Sequence, residues 1–161
     1  MPQHLHADER TSMKHFKDQE AKGSWVTYRP DIKILDCTVR DGGLINEHRF
    51  DDAFVRAVYH TCVAAGVDYM EMGYKASKAI YPPGDFGPWK YCDEEDVRRI
   101  VGDNPTSLKL CVMADAERTD FEKDILPKKD SVLDVVRVAT YIHQIPAVSY
   151  THLTLPTKRI V

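Results

Sequence analysis

The chain has 161 residues, 22 basic and 25 acidic, for a net charge of −3; 43% are hydrophobic and 29% charged. That length suits one domain of roughly 100–200 residues, and the composition excludes collagen, wholesale disorder and a disulfide scaffold. The charge balance offers nothing for nucleic acid or an anionic membrane. No apolar run reaches the roughly 18 residues of a membrane span, and no apolar signal core opens the chain, so a cytoplasmic protein is expected.

Residues 1–24 read as a polar, disordered leader. His4 and His6 have ligand spacing, but a solvated tail accounts for them. Residues 32–38 read as a strand bounded by Pro30 and by Gly42-Gly43. Residues 50–65 read as a helix, with Phe54, Val55, Val58, Tyr59, Cys62 and Val63 at helical spacing and Gly66 at the stop. Residues 67–72 read as a second strand closed by Gly73. The Pro/Gly-rich stretch 75–92 is long enough to cover a substrate, or its aromatics Tyr81, Phe86, Trp89 and Tyr91 pin it to the body. Asp93 is expected to cap a helix running to Val101. Residues 107–113 read as a third strand; residues 132–140 are apolar and β-branched, with a periodicity that fits helix or strand, and read as a fourth strand. Strand–helix alternation of this kind implies a parallel sheet with crossover helices. Cys37, Cys62, Cys92 and Cys111 form no C-x-x-C pair and read as buried, reduced thiols.

In parallel α/β folds, chemistry sits past the carboxyl ends of the strands. Arg40-Asp41-Gly42-Gly43 follows strand one. Asp41 can bind a hard divalent cation. Arg40 can hold a carboxylate or a developing enolate oxygen. The glycines let backbone approach a ligand; a salt-bridged turn is the plainer alternative. Glu71 lies in an apolar strand and needs a partner such as Arg40 or a metal. An ion pair and a catalytic role both remain open for it. Two-residue alternation puts Asp36 and Thr38 on one face with Arg40. His48 and His143 read as solvated loop histidines, and Asp115 and Glu117 follow strand three.

Ile34-Leu35-Asp36-Cys37-Thr38-Val39-Arg40-Asp41-Gly42-Gly43 resembles the opening signature of the metal-dependent aldolase and lyase TIM barrels. That superfamily includes 4-hydroxy-2-oxovalerate aldolase, hydroxymethylglutaryl-CoA lyase, and isopropylmalate and homocitrate synthases. Gly66-Val67-Asp68-Tyr69-Met70-Glu71-Met72-Gly73 is similar to its second strand, and Val136-Arg137-Val138-Ala139-Thr140 to the fourth strand of its aldolase branch. The resemblance covers residues 26–146. It implies a divalent metal, Mn or Mg, with Asp41 as a ligand and Arg40 stabilising the enolate of a pyruvate-like intermediate. Glu71 would be an active-site carboxylate near that metal. A small 2-oxo acid-type substrate and a carbon–carbon lyase reaction follow from the same resemblance. Two departures stand out. The aldolase-branch histidine is replaced by Gly43-Leu44-Ile45-Asn46, and the late His-x-His ligand pair has no counterpart outside the leader.

A TIM barrel needs about 250 residues, so the expected architecture is the N-terminal half of a (β/α)8 barrel, truncated after the fourth strand. Residues 147–161 read as a non-native tail, because residues 148–157 match a translated sequencing adapter. The alternatives are a Claisen-type acyl-CoA condensing enzyme with the same first-strand motif, or an inert or binding-only half barrel. A doubly wound nucleotide-binding domain also alternates strand and helix, but no G-x-G-x-x-G follows strand one. A homo-oligomer is compatible with all of these.

Overall fold

Four strands lie parallel and in chain order in the computed structural model, which describes residues 29–145. The leader with His4 and His6, and the 147–161 tail, lie outside the described residues. The chain divides between Ile32 and Lys33. Of the first unit, residues 29–32 are described, with an exposed Arg29–Asp31 ion pair. The sheet belongs to the second. Its strands are β1 (Leu35–Asp36), β2 (Tyr69–Tyr74), β3 (Lys109–Asp115) and β4 (Val135–Ala139). The expected all-parallel α/β sheet is present, and no reversal of strand order of the doubly wound kind occurs among these four.

The first strand is much shorter than its pattern suggests. After Asp36 and Cys37 the chain turns into α1 (Thr38–Gly42). The cause is local: the Asp36 carboxylate accepts from the Thr38 amide at 3.1 Å and the Thr38 hydroxyl at 2.8 Å, a competing side-chain bond of the kind that ends strands. Alternation therefore stops at Cys37. Asp36 aligns with Met70, on the sheet face opposite Glu71, and does not share a face with Arg40 as expected.

Helix α2 (Asp52–Ala65) starts where the Asp51 carboxylate accepts from the Phe54 amide at 2.7 Å and stops at Gly66 in a left-handed conformation, φ 69°. Its buried residues Val55, Tyr59 and Cys62 recur at three- and four-residue steps. Helix α3 (Glu94–Val101) follows Asp93 as expected, but Asp93 does not cap it; its carboxylate pairs with Lys78 at 2.6 Å. Glu94, Glu95 and Asp96 place negative charge in the first turn instead. Arg99 of α3 grips Asp52 of α2 at 2.6 and 3.1 Å, so the two helices run side by side.

The helix-facing core contains Met70, Met72, Leu110, Val112 and Ala114 from the sheet, with Val55, Tyr59, Val97 and Val101 from the helices. Burying each large side chain contributes about 1.5–3 kcal/mol. The β3–β4 connection holds a short 3-10 turn at Lys128–Asp130. Glu94 anchors that connection through the Ser131 hydroxyl and the Val132 amide. All four cysteines are free thiols, and Cys62, Cys92 and Cys111 are buried. Among the described residues no helix is long and apolar enough to cross a membrane.

Candidate functional site

Glu71 in the middle of β2 is fully buried, and its carboxylate is where three strands and α1 meet. Arg40 of α1 donates Nε to Oε2 at 2.8 Å. Arg137 of β4 donates Nε to Oε1 at 2.7 Å and Nη2 to Oε2 at 2.8 Å. The Cys37 and Cys111 thiols point at the same carboxylate, 3.4 and 3.7 Å away. Burial would raise the Glu71 pKa, but hydrogen bonds from Arg137 and Arg40 outweigh it and hold the group below the usual carboxylate range. The thiols respond the other way: burial, then the Glu71 charge, pushes Cys111 up to about 12 and raises Cys37. Both stay neutral, and neither is an activated nucleophile. Arg137 was not singled out from sequence. Its signal was a lone arginine in a β-branched strand, and only the register of β2, β3 and β4 brings it to Glu71.

The Arg40 guanidinium also pairs with Asp41 and lies 5.9 Å from the centroid of the Tyr74 ring. The Asp41 side chain is 56% exposed. Arg40 and Asp41 thus lie just past the carboxyl end of β1, with Arg40 reaching Glu71 inside β2 and Asp41 on the solvent side. Among the described residues no three His, Cys, Asp or Glu side chains converge as a metal-holding group.

The paired glycines do not open the backbone toward a ligand. A Cβ on Gly43 would lie 2.1 Å from His48 Nδ1, and one on Gly42 would lie 3.1 Å from the Phe50 ring. A Cβ on Gly87 would lie 2.1 Å from the His48 carbonyl oxygen. Two glycines therefore enclose His48, and the Gly87 amide bonds Glu47 O at 2.8 Å. Far from being solvated, His48 is 2% exposed, and its Nδ1 has no hydrogen-bond partner among the described residues. Its ring meets Tyr74 edge-on at 5.4 Å. Glu47 and His48 both have left-handed backbones, φ 58° and 61°, a strained pair held by the surrounding packing.

Burial, then the charges of Lys90 and Arg40, lowers the His48 pKa from 6.5 to about 4. The folded imidazole is neutral where the unfolded one takes a proton. Stability from this group is present above pH 6.5 and is lost as the pH falls toward 4, by up to about 3 kcal/mol. Denaturant midpoints between pH 7 and 4.5, for the protein and for His48→Gln, check this. The variant is expected to lose the slope; equal slopes would assign the titration to another group.

The aromatics of the 75–92 stretch pin it to the body of the domain. Trp89 is buried and donates Nε1 to Phe50 O at 3.2 Å. The Tyr91 hydroxyl reaches the carbonyls of Tyr81 and Pro82. The 3-10 turn Pro88–Lys90 brings Lys90 over the Tyr74 ring at 4.7 Å. A cavity of about 90 Å³ opens there, lined by Tyr74, Tyr81, Lys90, Asp115, Arg118 and Thr119. A larger void of about 180 Å³ opens between Lys109 and Asp134, at the amino ends of β3 and β4, the end opposite the expected chemistry. His143 stays exposed, 3.9 Å from Glu117.

The chain resembles one solved structure described as the N-terminal domain of a "putative aldolase" from Bacteroides vulgatus. The match has a TM-score of 0.58 and 25% identity over 73% of this chain. The chain spans 38% of the length of that solved chain. No family model matches the sequence, and no curated protein does.

Proposed function

We propose that this chain is the first half of a (β/α)8 barrel from a divalent-metal-dependent carbon–carbon lyase of the aldolase type, acting on a 2-oxo acid-type substrate through an enolate. The observation that carries the reading is Arg40, fixed by buried Glu71 at the carboxyl end of a parallel sheet beside solvent-facing Asp41. Sequential parallel strands and the aldolase-domain neighbour support it. In retro-aldol cleavage the hydroxyl of the departing fragment gives its proton to water and its O–H pair forms the new carbonyl; the carbon–carbon bond breaks, its pair forms the enolate double bond, and the 2-oxo π pair moves onto the oxygen. Arg40 meets that developing charge with a guanidinium already oriented, the arrangement that stabilises a transition state most. Glu71 acts through Arg40: with both oxygens engaged by arginines it is a positioning residue, not a proton acceptor.

Asp41 is the residue assigned to the cation, Mg²⁺ or Mn²⁺. Its exposed carboxylate suits a hard ion that takes one or two carboxylates and keeps water. A bound cation would add Lewis-acid polarisation of the 2-oxo carbonyl. Titration with Mn²⁺, followed by electron paramagnetic resonance, tests the assignment. Asp41→Asn is expected to weaken binding at least tenfold; undiminished Mn²⁺ affinity in that variant would remove Asp41 from the metal site.

A further inference from the structure

Thr119 is 8% exposed, and its buried hydroxyl has no hydrogen-bond partner among the described residues. Thr119 is among the residues that line the cavity beside Tyr74, whose volume of about 90 Å³ is several times the ~10–15 Å³ that admits one water. Lys90, 9% exposed, borders the same space. Its Nζ lies 4.3, 4.7 and 5.3 Å from the centroids of Tyr81, Tyr74 and Phe86. Aromatic faces offset the cost of burying the charge, yet they leave the three N–H donors of an ammonium unused. Among the described residues, no hydrogen bond or ion pair forms at that nitrogen. Burial, then the Arg118 charge, lowers the Lys90 pKa, and Asp115 opposes this.

The cavity therefore holds unused donors and a positive balance. Lys90 and Arg118 carry two positive charges and Asp115 one negative; Arg118 and Asp115 stand 3.7 Å apart. The remainder matches a monoanion, and Asp115 disfavours a second negative charge. We propose that this cavity binds the carboxylate of a short organic acid, with Lys90 as its counter-ion and the Thr119 hydroxyl donating a hydrogen bond to it. Asp115 accepts from any hydroxyl the same ligand carries. The assignment rests on the cavity alone and goes beyond the lyase reading, which concerns Arg40 and Asp41.

The test titrates the full chain, in the presence of a chelator and at constant ionic strength, with ¹³C-labelled pyruvate, inorganic phosphate and acetone. Nuclear magnetic resonance follows each ligand. Saturable pyruvate binding is expected, tighter than phosphate, with none for acetone. Lys90→Met, which keeps the apolar stem among the rings, is expected to weaken it at least tenfold. Thr119→Val is expected to weaken it several-fold with Tm unchanged or higher, because the hydroxyl bonds nothing among the described residues. Should Lys90→Met not fold, Thr119→Val decides. Binding must survive Asp41→Asn, which separates this cavity from the proposed metal site. Absent pyruvate binding, a preference for phosphate, undiminished pyruvate affinity in Thr119→Val, or loss in Asp41→Asn would overturn the proposal.

Discussion

Glu71→Gln is expected to destabilise the protein by about 3–5 kcal/mol, the cost of breaking a buried ion pair by removing one partner. The neutral amide has one acceptor oxygen where the carboxylate has two, and Arg40 and Arg137 make three hydrogen bonds to those two. The amide group would also turn N–H donors toward guanidiniums that only donate. Arg40 loses most, because its side chain is 14% exposed and water reaches it poorly. Against a usual stability of about 5–15 kcal/mol, this is a large fraction. Urea denaturation of the protein and the variant at pH 7 measures it. A difference under about 1 kcal/mol, the range of an exposed pair, would mean the arginines find solvent. The sign with pH follows from the lowered Glu71 pKa: its contribution is present above the ordinary carboxylate pKa and is lost as the pH falls through the folded value.

Gly73→Ala is expected to cost about 3 kcal/mol or more, the upper end of overpacking. A Cβ there would sit 2.0 Å from the Trp89 carbonyl oxygen and 2.8 Å from Cys92 Sγ. The first obstacle is backbone, so no rotamer change relieves it. The position lies where the β2–β3 register slips, between Glu71 and Tyr74, a place where glycine commonly lets another backbone approach. Relief requires moving the 88–92 segment, which carries Lys90 into the cavity. The variant should therefore lose stability and pyruvate binding together. Gly66→Ala is the control: its Cβ meets nothing within 4 Å, but φ is +69°. It should cost only the left-handed penalty of about 1–2 kcal/mol. Equal losses at the two positions, read from chemical denaturation, would show that backbone conformation and not the Trp89 contact sets the Gly73 cost.

The pattern of residues by itself determined the parallel α/β class, the stop at Gly66, and Arg40, Asp41 and Glu71 as a group worth joining. Each rests on information local to a segment: periodicity, a turn residue, or a charged side chain in or just past an apolar strand. Tertiary structure decided the rest. Strand one looked longer than Leu35–Asp36 because alternation cannot show that the Asp36 carboxylate captures Thr38. His48 looked solvated because nothing local reveals that Gly43 and Gly87, 44 positions apart in the numbering, make room for its ring and its carbonyl. Arg137 reaches Glu71 only through the β2–β3–β4 register, and Lys90 and Thr119 share a cavity only because two loops close over Tyr74. Propensity and periodicity act over a few residues, whereas burial and charge pairing depend on which distant segments pack together.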